Sequence, residues 1–479
     1  MTEGSLTRSV MWSGIERFST IGIQFVLNIV IARILSPSDY GIIGMLAIFL
    51  SISQCLIDSG FSTALVQSKN RQEKDYGTVF VFNLIISVII YFILYLSAPS
   101  ISRFYQQDIL VNVLRVVGLN LIISSLSNVH RAILTINIDF KTQSFVSIPS
   151  ALVSGIVGIV LAHNGFGVWA LVGQTLTNGF ITTFLFWVFS KERFRIVFDI
   201  ASFKRLGGFG VKLMFSGLLN TAYTNLYGLF IGKKYNADDL GYYTRAEQFS
   251  VFPATILTDV VTRVAFPLLC QSQDDKTQLS RVYTFFIKNS CFIIFPLMIG
   301  LAVLSKPLVV LLLTEKWMSI SILISIFALD CMFSPITRIN LQLLQAVGRS
   351  DLFLRLEVVK KIISVSILLI TISYGLVWIC IGRLIYSVFA LLINMYYTVD
   401  IIEKSYFEQI KDWFPNFVIS LLMGICILFV TYCFSSELLQ IFIGTSVGLI
   451  SYLILSSIFK LEAKGIFVMK VRNFIKMRL

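Results

Sequence analysis

Apolar stretches follow one another along almost the whole chain, separated by short polar segments. Stretches of 18 or more mainly apolar residues predict α-helices that span a membrane. We count fourteen, at residues 12–35, 41–66, 78–97, 112–129, 145–162, 167–189, 209–232, 247–269, 283–304, 320–345, 356–373, 377–398, 414–434 and 438–459. Polar residues interrupt the fourth and tenth. The pattern predicts an all-α polytopic membrane protein with about fourteen transmembrane helices.

Two of the polar segments resemble each other closely. Ile31-Ala-Arg-Ile-Leu-Ser-Pro-Ser-Asp-Tyr-Gly41 ends one apolar stretch and opens the next. Ile231-Gly-Lys-Lys-Tyr-Asn-Ala-Asp-Asp-Leu-Gly241 does the same 200 residues later. Further matches occur at offsets of 212 and 209, namely Asn128…Asp139 with Asn340…Asp351, and Val168-Trp169 with Val377-Trp378. Such a duplication is typical of transporters whose two halves enclose a shared site.

The duplication predicts two lobes of six spans each. We expect an N-terminal lobe at residues 1–190, a charged cytoplasmic connector at 191–206 and a C-terminal lobe at 207–400. Residues 401–479 would hold two additional helices, which resemble an appendage, and a basic tail. Because each lobe has an even number of spans, an axis along the membrane normal would relate the lobes. The connector would then be the hinge between them.

The composition excludes a soluble globular protein, since 56% of residues are hydrophobic and only 14% are charged. With the N-terminus inside, cytoplasmic segments carry 26 of the 39 Lys and Arg residues, and outside loops carry 5. The positive-inside rule therefore predicts that both termini are cytoplasmic. A basic face against anionic lipid explains the net charge of +13 without nucleic acid. The cysteine and histidine positions predict neither a metal site nor a cofactor.

Polar residues recur every three or four positions inside the first and seventh spans. Each set lies on a single helix face and begins with a cation. An ionisable group in a span costs roughly 2.5–3.5 kcal/mol, so it normally faces a cavity or a partner. Together with cations of the eighth and tenth spans, these stripes predict a cavity lined by Arg17, Gln24, Asn28, Lys212, Asn220, Tyr223, Arg263 and Arg338.

Three acids inside spans are candidates for binding a coupling proton or sodium ion. Asp58 and Asp259 stand 201 residues apart and are equivalent in the repeat, and Asp330 lies in the tenth span. Other interpretations stay open: Asp58 could end a helix, Asp259 could pair locally with Arg263, and Lys212 could lie at the headgroup level.

The cavity residues favour a particular type of cargo. Arginine binds phosphate with two hydrogen bonds, whereas hydroxyl and amide side chains match sugar hydroxyls. A phosphorylated glycolipid suits this combination better than a hydrophobic cation, which would favour acids and aromatic rings.

Several motifs resemble those of the polysaccharide-transporter branch of the multidrug/oligosaccharidyl-lipid/polysaccharide exporter superfamily, the Wzx-type flippases. The resemblance covers residues 6–460 and is strongest to the colanic-acid and teichuronic-acid exporter subgroup. It rests on Leu35-Ser-Pro-Ser-Asp-Tyr-Gly41, Asp58-Ser-Gly-Phe-Ser-Thr-Ala-Leu-Val-Gln67, Gly241-Tyr-Tyr-Thr-Arg-Ala246, Thr262-Arg-Val-Ala-Phe-Pro267 and Thr314-Glu-Lys-Trp317.

This resemblance implies a V-shaped bundle of two six-helix lobes with a cavity between spans one, two, seven and eight. It implies an undecaprenyl-diphosphate-linked oligosaccharide as cargo, in the bacterial inner membrane, with a polysaccharide polymerase and chain-length machinery as partners. We expect Arg17, Lys212 and Arg263 to hold the diphosphate. The alternatives are a drug/cation antiporter, a peptidoglycan-precursor flippase and, because the outside loops are short, less readily a membrane polysaccharide polymerase.

Overall fold

The computed structural model of the protein describes residues 3–58, 60–68, 70–190 and 194–461. Within these ranges the regular structure is entirely helical, and the chain forms two compact units, residues 1–241 and 242–479. Connector residues 191–193 and the predicted basic tail beyond residue 461 lie outside the described residues.

The first unit is a bundle in which α1 packs against α7, α7 against α8, and α2 against α4 and α9. Apolar side chains of α3, α4, α6 and α9, among them Phe61, Phe80 and Leu206, form one of its buried clusters. The helices are α1 (Glu3–Ile34), α2 (Pro37–Asp58), α3 (Phe61–Gln67), α4 (Glu73–Tyr105), α5 (Ile109–Val117), α6 (Leu119–Ile136), α7 (Phe140–His163), α8 (Val168–Phe189), α9 (Ile200–Thr224) and α10 (Leu226–Lys234).

The second unit contains most of α11 (Ala237–Gln271), which begins in the first unit. It continues through α12 (Lys276–Val303), α13 (Ser305–Leu313), a 3₁₀ turn (Glu315–Trp317), α14 (Ile320–Cys331), α15 (Ser334–Ala346), α16 (Ser350–Thr371), α17 (Leu376–Ile402), α18 (Tyr406–Cys433) and α19 (Glu437–Ile458). Helix α12 is central, because it packs against α14, α15 and α18. Its Phe295 and Met298 lie in a core that includes Met423 of α18 and Tyr452 of α19.

Eleven helical segments of the described chain are long and apolar enough to cross a membrane. The three remaining predicted spans are also helical, at α8, α9 with α10, and α16, but their polar or charged residues keep them from meeting the same standard of apolarity. The prediction of an all-α, multi-pass membrane protein is confirmed. The number fourteen stays a prediction.

The described part of the connector is held against the start of α4. Helix α9 begins at Ile200, nine residues before the predicted span, because Asp199 accepts hydrogen bonds from the Ser202 N–H at 2.8 Å and hydroxyl at 2.7 Å. These bonds hold the pKa of Asp199 below its usual range. Arg205 of α9 donates to both carboxylate oxygens of Asp75 at 2.5 Å, and Asp75 is fully buried at the start of α4. Helix α9 is thereby fastened to α4.

This attachment places α9 and α10 in the first unit, whereas the repeat predicts that they open the C-terminal lobe. Packing groups α9 and α10 with the first unit, whereas the sequence repeat groups them with the second half of the chain. The predicted lobe boundaries, and the role of the connector as a hinge, stay predictions.

The two repeated polar segments have the same local structure. Ser36 and Asp39 form a capping box at the start of α2, with Ser36 N–H donating to the Asp39 carboxylate at 2.9 Å. At the start of α11, the Asp239 N–H donates to the side-chain oxygen of Asn236 at 2.8 Å. Each segment therefore ends one helix and begins the next by capping.

These two segments also pack against each other. A Cβ atom on Gly41 would lie 1.7 Å from the carbonyl oxygen of Ala237, and one on Gly241 would lie 1.9 Å from that of Pro37. Pro37 and Ala237 occupy equivalent positions in the repeat, so the contact is reciprocal. Glycine is required at both positions because no side chain fits between the two backbones.

Candidate functional site

A polar pocket of about 620 Å³ lies between α2, α3 and α9 of the first unit. Its walls consist of Ser51, Gln54, Cys55, Asp58, Gly60, Thr63, Leu213, Met214, Thr221, Thr224 and Asn225. Most of these side chains carry hydroxyl, amide or carboxyl groups. Because α2 is apolar enough to span a membrane, a polar wall there favours a path for a polar ligand over a purely packed interface.

The pocket exists because α9 approaches the junction of α2 and α3 closely. Gly60, at this junction, has φ +67°, a left-handed conformation that glycine adopts readily. A Cβ atom there would lie 2.3 Å from the carbonyl oxygen of Gly210 on α9. Further along, the Cys55 thiol lies 3.9 Å from the carbonyl oxygen of Met214. The contacts of Gly60 with Gly210 and of Cys55 with Met214 thus set the separation of α2 and α9.

Asp58 is the acidic group of this pocket. Its Oδ1 accepts hydrogen bonds from Gln54 at 3.2 Å and from Asn128 of α6 at 2.8 Å. Ser124 donates in turn to the Gln54 side chain at 3.4 Å. Asp58 is also the last residue of α2, so it both ends a helix and lines the pocket. Amide donors hold the carboxyl group in a fixed position.

The other predicted cavity residues of the first unit lie outside this pocket. Arg17 and Gln24 are exposed on α1, and Asn28 is half-buried there. On α9, Lys212 and Asn220 are exposed, and Tyr223 is half-buried. The pocket instead uses the neighbouring face of α9. Among its described lining residues there is no Lys or Arg.

Sequence reasoning missed several residues that form the pocket. Gln54 lies one turn before Asp58, so helical spacing could have indicated it. Thr221, Thr224 and Asn225 also recur at helical spacing, but their face of α9 carries no charged residue, so it gives a weaker sequence signal. Asn128 was noted only as part of the repeat. Its bond to Asp58 joins residues 70 positions apart, which no local pattern reveals.

In the second unit, the predicted residues lie on α11 and α15. Arg263 and Arg338 are exposed, and Asp259 is half-buried one turn before Arg263. The two helices are joined by hydrogen bonds, including one from Gln342 of α15 to the carbonyl oxygen of Thr262 at 3.1 Å. Within the described part of the chain, no group of three His, Cys, Asp or Glu side chains could hold a metal ion.

Asp330 is the buried acid of a cluster of charged side chains. One of its oxygens lies 3.1 Å from Nε of Arg383, and it accepts a hydrogen bond from Ser387. Arg383 also donates to Glu247 and, at 3.0 Å, to the hydroxyl of Tyr243. One guanidinium therefore serves two carboxylates and joins α11, α14 and α17. The pairing with a cation distinguishes Asp330 from Asp58, whose hydrogen bonds come from amide groups.

The fold has counterparts among solved transporters. It matches the lipid II flippase MurJ in an inward closed conformation with a TM-score of 0.76 and 18% identity, over 94% of this chain and 98% of that one. It matches an inward-facing multidrug resistance MATE family transporter with a TM-score of 0.62 and 16% identity, over 82% and 99%. At these identities the likeness concerns the fold alone.

Sequence relatives narrow the assignment. The chain is 25% identical over 355 residues to the teichuronic acid biosynthesis protein TuaB of Bacillus subtilis, covering 73% of each chain. It is 23% identical over 413 residues to the lipopolysaccharide biosynthesis protein WzxC of Escherichia coli, covering 85% of this chain and 84% of the relative. Residues 30–322 match the sequence profile of a family described as polysaccharide biosynthesis protein. The resemblance to Wzx-type transporters is confirmed, and the chain belongs to this polysaccharide biosynthesis family.

Proposed function

We propose that the protein is a flippase that moves undecaprenyl-diphosphate-linked oligosaccharide repeat units across the bacterial inner membrane for assembly of a surface polysaccharide. The observation that carries this proposal is the polar pocket beside α2, within a chain whose relatives are named for polysaccharide biosynthesis. Hydroxyl and amide groups suit sugars, and such a pocket has no use in a protein that transports only apolar molecules.

The exposed cations supply the second part of the proposal. Arg17, Lys212 and Arg263 would bind the diphosphate, because Arg forms paired hydrogen bonds with phosphate and Lys adds a point charge. The lipid tail would stay in the bilayer while alternating access moves the sugars. The protein would change the position of its cargo without breaking covalent bonds, so it would act as a transporter and not as an enzyme. Both termini would be cytoplasmic, and a polymerase with chain-length machinery would receive the cargo.

Of Asp58 and Asp330, Asp58 fits ion coupling better. Its hydrogen bonds come from the neutral amides of Gln54 and Asn128, and it lines the pocket. Asp330 is already paired with Arg383. We expect Asp58→Asn to keep the hydrogen-bonded shape while transport loses its dependence on the proton or sodium gradient. Asp330→Asn, the matched variant, should retain that dependence.

The test begins with deletion of the gene in the source organism. We expect undecaprenyl-diphosphate-linked repeat units to accumulate on the cytoplasmic side while surface polysaccharide is lost. The wild type should reverse both effects, and the Arg17→Ala/Lys212→Ala variant should reverse neither. Arg103→Ala, which removes an exposed cation outside the proposed cavity, is the control. Normal export by the double variant at normal protein levels would show that these cations do not bind cargo.

One other function has a specific observation in its favour. The likeness to a multidrug resistance MATE family transporter shows that a multidrug resistance transporter has the same fold. That function predicts resistance to organic cations, dependence on Asp58 more than on Arg17, and intact surface polysaccharide in the deletion strain. A peptidoglycan-precursor flippase would instead be essential for growth.

A further inference from the structure

A small basic cavity lies in the second unit, where α12, α18 and the end of α19 come together. It has a volume of about 170 Å³ and is lined by polar side chains that include Lys288 of α12, Lys411, Asp412 and Asn416 of α18, and Lys460 just after α19. None of these residues belongs to the polar pocket of the first unit or to the predicted cargo site.

The acid of this cavity is already neutralised. Lys404 donates to Asp412 at 2.7 Å, and the Lys288 ammonium lies 3.9 Å from its other oxygen. The side chain of Asp412 is only 8% exposed. Since Lys404 and Lys288 both contact this carboxylate, Lys411 and Lys460 leave the lining with surplus positive charge. The cavity is therefore suited to an anion.

Asn416 adds a second, independent observation. Its side chain is 3% exposed and donates to the carbonyl oxygen of Lys288 at 3.4 Å. Its Oδ1 is buried and has no hydrogen-bond partner among the described residues. An unpartnered buried acceptor is costly unless a ligand supplies a donor. The phosphodiester of a phospholipid has no proton to donate, whereas a headgroup that carries hydroxyls does.

The position of the cavity indicates where such a ligand comes from. The neighbouring helices expose large apolar side chains, namely Phe414, Leu421 and Ile425 on α18 and Ile450, Ile454 and Ile458 on α19. The cavity lies at the end of these faces where α18 begins and α19 ends. Basic pockets between helices at the membrane surface bind anionic lipid headgroups.

We propose that this cavity binds the headgroup of a glycerol-bearing anionic phospholipid of the phosphatidylglycerol type. The lysines contact the phosphate, a headgroup hydroxyl donates to Asn416, and the acyl chains follow the exposed faces of α18 and α19. The two C-terminal helices thereby acquire a lipid-binding role that is separate from transport of the cargo.

The test uses the purified full-length protein in detergent, with bound lipid measured by native mass spectrometry. We expect phosphatidylglycerol to bind and phosphatidylcholine to bind at least about tenfold more weakly. The Lys411→Gln/Lys460→Gln variant changes two exposed side chains, so the fold should persist, and its affinity for phosphatidylglycerol should fall about tenfold. Lys306→Gln/Arg355→Gln, which removes two exposed cations elsewhere in the same unit, should bind like the wild type.

Two competitors identify the source of the anion. Inorganic phosphate that displaces the lipid at equal concentration would overturn the proposal in favour of a simple anion site. Undecaprenyl diphosphate that binds more tightly than phosphatidylglycerol, with a loss in the Lys411→Gln/Lys460→Gln variant, would assign the cavity to the cargo instead. Equal binding of phosphatidylglycerol by this variant and the wild type would show that the lipid does not bind in this cavity.

Discussion

Arg383 contacts two carboxylates inside the second unit, those of Asp330 and Glu247. We predict that Arg383→Ala lowers the free energy of unfolding by about 3–5 kcal/mol, because it leaves the buried Asp330 carboxylate and the half-buried Glu247 carboxylate without their cation. Thermal unfolding of the purified protein in detergent measures the loss. Adding Asp330→Asn and Glu247→Gln to this variant should restore part of the stability. No recovery in the triple variant would show that Arg383 acts through packing against Phe327.

Sequence and structure agree on single residues only where a residue stands out locally. Asp58 could be found because an acid in an apolar stretch is expensive and therefore conspicuous. Its partner Asn128, and the pairing of Asp330 with Arg383, could not be found. Both depend on helices that are distant in the sequence and close in the fold. The exposed cations could be identified by type and spacing, whereas their convergence on a cargo stays a prediction.

At the scale of helices, the reciprocal contact of the repeated segments limits what can stand at Gly41 and Gly241. We predict that Gly41→Ala and Gly241→Ala each lower the free energy of unfolding by about 1–3 kcal/mol, because each Cβ would overlap a backbone carbonyl. Export should fall with each. Gly22→Ala is the matched control, since nothing lies within 4 Å of its Cβ position. Equal thermal stability of all three variants would show that the contact opens at little cost.

The attachment of α9 to α4 gives a second prediction at this scale. Arg205→Ala should destabilise the protein more than Asp75→Ala, because it leaves the fully buried Asp75 carboxylate without its cation and with the backbone N–H of Gln72, at 2.8 Å, as a neutral donor. Arg205 is 44% exposed and can be solvated when its partner is lost. Limited proteolysis of residues 194–206 should become faster in both variants. Unchanged cleavage would mean that the connector is held by its other contacts.

For the whole molecule, the length and order of the apolar stretches were sufficient to predict the class of fold. Every predicted span coincides with helix, since membrane-spanning helices carry their signal within their own sequence. The sequence alone did not predict which helices pack against each other. The repeat groups α9 with the C-terminal lobe, but the Asp75–Arg205 pair and the Gly60 contact group it with the first unit.

Helices α18 and α19 also pack differently from what the sequence repeat predicts. They have no counterpart in the repeat, so the sequence predicts that they are an appendage. In the structure they cover α12: Met423 and Tyr452 lie in the core of the second unit, and the Tyr452 hydroxyl donates to the carbonyl oxygen of Phe292 at 2.8 Å. We predict that a chain ending at residue 402 fails to accumulate, because it lacks α18 and α19 and so leaves this face of α12 uncovered. A chain ending at residue 461 is the control. Membrane levels of fluorescent fusions measure both, and accumulation of the shorter chain with normal export would show that the second unit is complete without these helices.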